Sequence, residues 1–371
     1  MAKLEFHSNP TLTLGVELEL GICDGQTMHL ISGCNSLLEQ IPDELRATIK
    51  PELMQCCIEV ITGVCNNVGE VREDLRGKLK RVQDLTDSLD MRLWWGSTHP
   101  FSRWESQDVT PTERYLSLVE LLQELARRLI TFGLHVHVGV DSGDKAVMIC
   151  DRIMQHLPTL LALSTSSPFW QARDTGLHSY RSKLMEGLPT AGLPTLMRNW
   201  SEYVWLVNHM IETGFINTIR EIWWDVRPHH NFGTVEVRVC DMPGDLDAVC
   251  GLTALIQCLV KSLSDEIEEG TYQFDCHPMM VRQNKWRAAR FGRSARLVNT
   301  RDYHVEPVEQ IVCQMVDQLS DTAVDLGCAS ELSFVKQMAA RSGWSGIQRT
   351  LLEANNNPVE MVRQLTEKSR V

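Results

Sequence analysis

Residues 11–20 read TLTLGVELEL, a strict alternation of apolar and polar side chains. Successive side chains of a strand point to opposite faces. Leu12, Leu14, Val16, Leu18 and Leu20 therefore share one face, and Thr11, Thr13, Gly15, Glu17 and Glu19 share the other. Two further runs repeat the pattern. In 134–140, LHVHVGV, the residues Leu134, Val136, Val138 and Val140 oppose His135, His137 and Gly139. In 233–241, GTVEVRVCD, the residues Val235, Val237 and Val239 oppose Thr234, Glu236, Arg238 and Cys240. A fourth run, 52–60 (ELMQCCIEV), alternates less cleanly. It puts Glu52 and Glu59 on opposite faces unless the strand is irregular or Glu52 precedes it. Three clean alternations predict an antiparallel sheet with one buried and one open face.

The open face carries unusual chemistry. A merely solvated face would favour Thr, Lys and alternating charge, whereas Glu17 and Glu19 repel each other and Glu is a poor strand former. His135 and His137 repeat the pattern in metal-capable form. Carboxylates and imidazoles converging on one face suit divalent cations that bridge phosphates. Zinc fits less well, because its usual Cys and His spacings are absent.

The rest of the chain frames that sheet. At 371 residues it can bury a large core, as one large domain or two. Hydrophobic residues make up 43% and charged residues 23%, the balance of a soluble globular protein. A net charge of −12 argues against nucleic acid as a partner but not against a nucleotide held by metal ions. The 12 cysteines form no C-x-x-C pair and read as free thiols in a reducing cytoplasm. The amino-terminal MAKLEFHSNP has no signal-peptide core, and no apolar run approaches the roughly 20 residues of a membrane span.

Long amphipathic helices are expected over about 68–93, 112–132, 145–163, 197–217 and 245–268, giving an α+β fold. In the first, Val71, Leu75, Leu79, Val82, Leu85 and Leu89 form one stripe. From about residue 305 the chain reads as a helical layer or subdomain, divided at Gly327, Gly343 and the Asn355-Asn356-Asn357-Pro358 breaker. The segment 164–192 is long for a loop yet holds Trp170, Arg173, Tyr180 and Arg181. Neither G-x-x-x-x-G-K-[ST] nor G-x-G-x-x-G occurs, so a nucleotide would have to be held by metals and arginines on a sheet.

An ordered series of blocks carries a resemblance. They are Gly15-Val16-Glu17-Leu18-Glu19-Leu20, Pro51-Glu52-Leu53 with Ile58-Glu59-Val60, Gly96-Ser97-Thr98-His99-Pro100 and Gly133-Leu134-His135-Val136-His137-Val138-Gly139. Ser166-Ser167-Pro168-Phe169-Trp170, Ser179-Tyr180-Arg181, Trp224-Asp225-Val226-Arg227-Pro228 and Gly233-Thr234-Val235-Glu236-Val237-Arg238-Val239 follow, with a weaker echo at 284–292. The series resembles the carboxylate–amine ligases related to type 2 glutamate–cysteine ligases.

The resemblance implies a glutamine-synthetase-like α+β fold in which a curved antiparallel sheet floors the active site and helices pack on its other face. The whole chain would then be one catalytic domain. It also implies an acyl-phosphate reaction using ATP and Mg²⁺, joining a glutamate-like carboxylate to an amine such as cysteine. Glu17, Glu19, Glu59 and Glu236 match positions of Mg²⁺ ligands, with Glu52 and His135 or His137 as further candidates. Arg238 shares the face of Glu236 and is the candidate contact to the transferring phosphoryl group, with Glu59 a second catalytic candidate. Arg181, Arg227 and Tyr180 are candidate substrate-binding residues; for the arginines the alternative is an ordinary ion pair. By family analogy the protein is expected to be cytoplasmic and a homodimer or higher homo-oligomer. A phosphotransferase of the same fold and a non-catalytic nucleotide or amino-acid sensor are the competing readings.

Overall fold

The computed structural model describes residues 4–271, 276–299 and 302–371; the first three residues of the amino-terminal stretch read above lie outside them. Seven strands build the main sheet: β1 (Leu14–Asp24), β2 (Ile49–Pro51), β3 (Cys57–Ile61), β4 (Met91–Trp94), β5 (Leu134–Gly139), β6 (Val226–His229) and β7 (Thr234–Val237). Their order is β6-β7-β5-β1-β3-β2, and every neighbouring pair is antiparallel. The later half of β1 runs past β5 and pairs instead with β4.

The period-two reading fixes which face is buried. Val16, Leu18, Leu20, Leu134, Val136, Val138, Val235 and Val237 are fully buried. Helices Val68–Ser88, Gly143–Ile153 and Leu246–Glu268 contact these strands. Full burial of each such side chain is worth roughly 1.5–3 kcal/mol, which is why a one-residue slip in register, turning the glutamates inward, is excluded.

Leu246–Glu268 is the central helix of the protein. It is buried on almost every side, from Leu246 to Ser264. By length and composition alone it is apolar enough to cross a membrane, but 83% of its most apolar window is covered by protein. Asp245 caps its start by accepting from Ala248 N–H at 2.7 Å.

Several expected helices end early. The helix expected over 68–93 stops at Ser88; Asp90 takes φ +53° and the chain continues as β4. The helix expected over 112–132 breaks at Gln123, φ +51°, into Glu113–Leu122 and Glu124–Arg127. The helix expected over 145–163 divides at 154–156, before Pro158 in the first turn of Leu157–Ser164. The one expected over 197–217 is Trp200–Glu212, capped by Asn199. The last quarter is helical from Val308 onward, with Asn356 in the left-handed conformation between Trp344–Asn355 and Pro358–Lys368. Its apolar residues Val312, Val335, Met361 and Leu365 belong to the same core cluster as β1. All 12 cysteines are free, ten of them buried.

Candidate active site

Register brings the polar residues together. Glu17 lies opposite His135, Glu19 opposite Glu59, His137 opposite Glu236, and Glu236 opposite Arg227. Gly15 faces His137, and a Cβ at position 15 would lie 3.6 Å from the His137 Cβ. Between carboxylates and imidazoles the shortest approaches are Glu17 Oε2 to His135 Nδ1 at 3.2 Å and Glu17 Oε1 to His137 Nε2 at 3.4 Å. His135 Nε2 lies 3.8 Å from Glu19 Oε1, and His137 Nε2 lies 3.9 Å from Glu236 Oε1.

Glu236 is fully buried and held by two guanidinium groups. Arg227 donates to its Oε2 from Nε at 2.6 Å and to its Oε1 at 3.3 Å, and Arg238 donates to Oε1. Arg238 also lies 3.4 Å from His135 Nδ1. Arg227 also donates from Nη1 to the Ile222 carbonyl at 2.6 Å.

Glu52 resolves the irregular fourth strand. The run 52–60 is not one strand: β2 ends at Pro51, and β3 begins only at Cys57. Glu52 therefore leaves the pleat and turns into the same cavity as Glu59. That cavity holds about 330 Å³. Glu17, Glu19, Glu52, Glu59 and His135 line it together with Arg181, Arg227 and Arg238. His137 and Glu236 are buried and do not line it.

The three candidate substrate-binding residues are placed differently. Tyr180 does not line the cavity; its ring packs beside Trp170, with centroids 5.7 Å apart. Arg181 reaches the cavity, but its terminal nitrogens donate to the carbonyls of Cys240 at 3.0 Å and Arg238 at 3.4 Å. It lies so close to β5 that a Cβ on Gly133 would come within 2.2 Å of it. Arg181 and Arg227 both hold protein groups in place and both line the cavity.

The segment 164–192 is a framework rather than a free loop. The buried Asp241 carboxylate accepts from Ser166 N–H (2.9 Å), Ser167 Oγ (2.7 Å) and Ser179 Oγ (2.8 Å), tying the segment to the end of the β7 run.

Sequence reasoning missed Lys50, Arg114, Tyr115 and Arg220, all of which line the cavity. Lys50 pairs in register with Glu59 on β2, a strand too short to show a period. The others stand on helices and turns, whose position over the sheet no local pattern reveals.

The electrostatics divide the floor. Burial works against the charged form of Glu17, but hydrogen bonds from His135 and His137 hold its carboxyl well below the usual range. Burial works against Glu236 as well, and Arg227, Arg238 and His137 outweigh it. On the other side, burial with Glu19 nearby pushes Glu52 up to about 7. Burial together with Glu52, Glu17 and Glu19 holds Glu59 well above the carboxylate range. Burial and Arg238 lower the His135 pKa, whereas Glu236 and Glu17 raise that of His137 against its burial.

These residues fit a divalent cation. Glu17, Glu59 and His135 form one group of converging donor atoms, and Glu17, His137 and Glu236 form another. Within each group the donors lie within 4.8 Å of one another, and Glu17 belongs to both. With Nδ1 taken by Thr234 Oγ1 at 2.9 Å, His137 turns its buried Nε2 toward Glu17 Oε1 (3.4 Å) and Glu236 Oε1 (3.9 Å), the arrangement of a nitrogen and two carboxylates that would share a cation. Glu236 already accepts from two arginines, yet a carboxylate has about four acceptor positions, so it can serve both.

Solved structures share this architecture. A glutamate–cysteine ligase of Francisella tularensis, determined in complex with AMP, aligns over 98% of this chain and 90% of its own, with a TM-score of 0.69 at 12% identity. A bifunctional glutathione synthetase from Pasteurella multocida aligns over 97% of this chain and 51% of its own, with a TM-score of 0.70 at 13% identity. The fold is thus the glutamine-synthetase-like one of these ligases.

Sequence comparison goes further. The model of glutamate–cysteine ligase family 2 (GCS2) matches residues 13–368. A Gloeobacter violaceus protein named "Putative glutamate--cysteine ligase 2" is 40% identical over 365 residues, covering 98% of both chains. A Thermobifida fusca protein of the same name is 36% identical over 371 residues, covering 99% of this chain and 93% of its own. The chain belongs to glutamate–cysteine ligase family 2 and is an ATP-dependent carboxylate–amine ligase.

Proposed function

We propose that this protein condenses glutamate, or a close analogue, with an amine of the cysteine type, using MgATP and an acyl-phosphate intermediate. The observation that carries this reading is the meeting of the two donor groups at Glu17, with Arg238 on the same face. The family relationship supports the acid and amine classes.

The sheet holds two cation positions, one at Glu17, Glu59 and His135 and one at Glu17, His137 and Glu236. Glu19 and Glu52 line the same cavity as Glu17 and Glu59 and offer further carboxylate oxygens. Bound there, Mg²⁺ supplies charge neutralisation for the triphosphate, the main requirement of phosphoryl transfer. Arg238, anchored by Glu236, presents guanidinium to the cavity for the charge that develops on the transferring phosphoryl group. Arg227 keeps Glu236 ionised and in place. Lys50, Arg114 and Arg220 form a cationic rim for the carboxylates of the substrates. The acid's carboxylate attacks the γ-phosphorus and ADP leaves. The amine then attacks the acyl carbon, phosphate departs, and an amide remains.

We place the reaction in the cytoplasm, in a homo-oligomer, with the helical residues from about 305 onward as a layer of the same catalytic unit. The test is product analysis. Incubated with ATP, Mg²⁺ and a panel of acids and amines, the protein should release ADP and phosphate only with a productive pair. The mass of the amide should appear in the product. Release of a phosphorylated acceptor without amide, or no turnover across the panel, overturns the reading.

A further inference from the structure

One buried cation near the site has no place in the chemistry above. Lys285 stands on the helix Pro278–Phe291, in the block 284–292. Its residue is 2% exposed. Its ammonium donates to Asp225 Oδ2 at 2.5 Å and reaches Glu186 Oε1 at 2.8 Å. Burial opposes its charge, and Asp225 and Glu186 more than compensate, so the lysine stays protonated.

The two anions lead back to the site. Asp225 lies directly before β6, two residues from Arg227. Its amide donates to the Gly192 carbonyl at 2.8 Å, and its own carbonyl accepts from Arg238 N–H at 2.8 Å. Glu186 directly follows the short helix Arg181–Met185, and Lys183 takes its second oxygen at 2.7 Å. One ammonium therefore ties together the helix, the end of the 164–192 segment and the backbone beside Arg238. An isolated buried charge pair is weak evidence for stability, since apolar replacements are often as stable. The geometry here offers another use for it.

We propose that Lys285 is a positioning residue: by fixing Asp225 it holds the backbone bond that aims Arg238 at the transferring phosphoryl group. It acts on the chemical step and not on substrate affinity. Misplacement of a catalytic group by about 1 Å can cost on the order of a hundredfold in rate.

The inference rests on the ligase reading, and its test uses the full-length protein with an acid–amine pair that the wild type turns over. For K285M, kcat should fall about a hundredfold while KM for ATP stays within about threefold. K285R, which keeps the charge, should recover most of the loss. D225N should reproduce the defect, and combining it with K285M should add little, as expected for residues acting as one unit. Urea unfolding of each variant separates this from simple destabilisation, and D225N carries the test if K285M does not fold. A folded K285M or D225N with wild-type kcat overturns the proposal, as does a loss confined to KM or to stability. A wild type that turns over no pair overturns the ligase reading itself, and the proposal with it.

Discussion

Replacing Glu236 by Gln keeps the shape of a buried side chain and removes its charge. Glu236 is 1% exposed, and Arg227 and Arg238 both direct guanidinium nitrogens at it. Gln retains one acceptor oxygen and turns an NH₂ group toward a cation. Removing one member of a buried ion pair costs about 3–5 kcal/mol, because the partner stays buried and unpaired. That is a large share of the roughly 5–15 kcal/mol that separates a folded domain from its unfolded state. The substitution also removes a candidate cation ligand and the anchor of Arg238. Loss of one preorganised electrostatic group typically lowers kcat about 10²–10³-fold. Urea unfolding at neutral pH, followed by the fluorescence of the 10 tryptophans, measures the first effect, and ADP release measures the second.

The pH dependence checks the cause. The two arginines and His137 hold the Glu236 carboxyl well below its usual value despite burial. A depressed acid stabilises the fold fully above the unfolded pKa, about 4.3 for Glu. That contribution is lost as pH falls through the folded value. The stability gap between wild type and Glu236→Gln should therefore be widest at neutral pH and narrow in acid. Equal unfolding midpoints at neutral pH together with undiminished turnover would refute the reasoning, and a gap that widens in acid would refute its electrostatic part.

Divalent-cation affinity should weaken as pH falls below about 7, because Glu52 is held at about 7 and Glu59 is raised above its usual value, and both must shed protons to bind. Calorimetry with Mn²⁺ in two buffers of different ionisation enthalpy should show proton release, and a pH-independent affinity counts against these ligands. Asp241→Asn puts an NH₂ group among three donors and should cost about 1–3 kcal/mol in urea unfolding. A wild-type midpoint would show that the serines do not depend on the charge. Burial pushes His99 down to about 3, so it is neutral when folded and takes up a proton on unfolding below about 6.5. Stability should then be lost as pH falls from about 6.5 toward about 3, and His99→Asn, which can still accept from Ser102 N–H, should flatten that slope.

The sheet face was legible because a strand has an integer period. Alternation alone grouped Glu17 with Glu19, His135 with His137, and Glu236 with Arg238. The pairing of those groups was not legible, since register depends on neighbouring strands, and it is register that sets Glu17 against His135. Glu52 showed itself as a break in the alternation, and the break proved to be the turn between β2 and β3. The end of Val68–Ser88 was hidden because Leu89, Met91 and Leu93 continue an apolar rhythm past Asp90, whose positive φ leaves no mark in the sequence. Arg114 and Arg220 were out of reach for a different reason: they meet the sheet only through tertiary packing.

Five carboxylates on so small a floor cannot all be ionised without a cation, and this fold answers the problem differently on its two sides. Toward β7 and β6, Glu236 keeps its charge because Arg227 and Arg238 are built against it, and Glu17 keeps its charge through the two histidines. Toward β3 and β2 no buried arginine is supplied; Glu59 stands in register between Glu19 and the exposed Lys50, and burial drives Glu52 and Glu59 toward their protonated forms. The arginine-held side is ready for a cation at any neutral pH, whereas the other side must exchange protons for one. Glu17 belongs to both donor groups, so charge arriving on one side changes the field on the other.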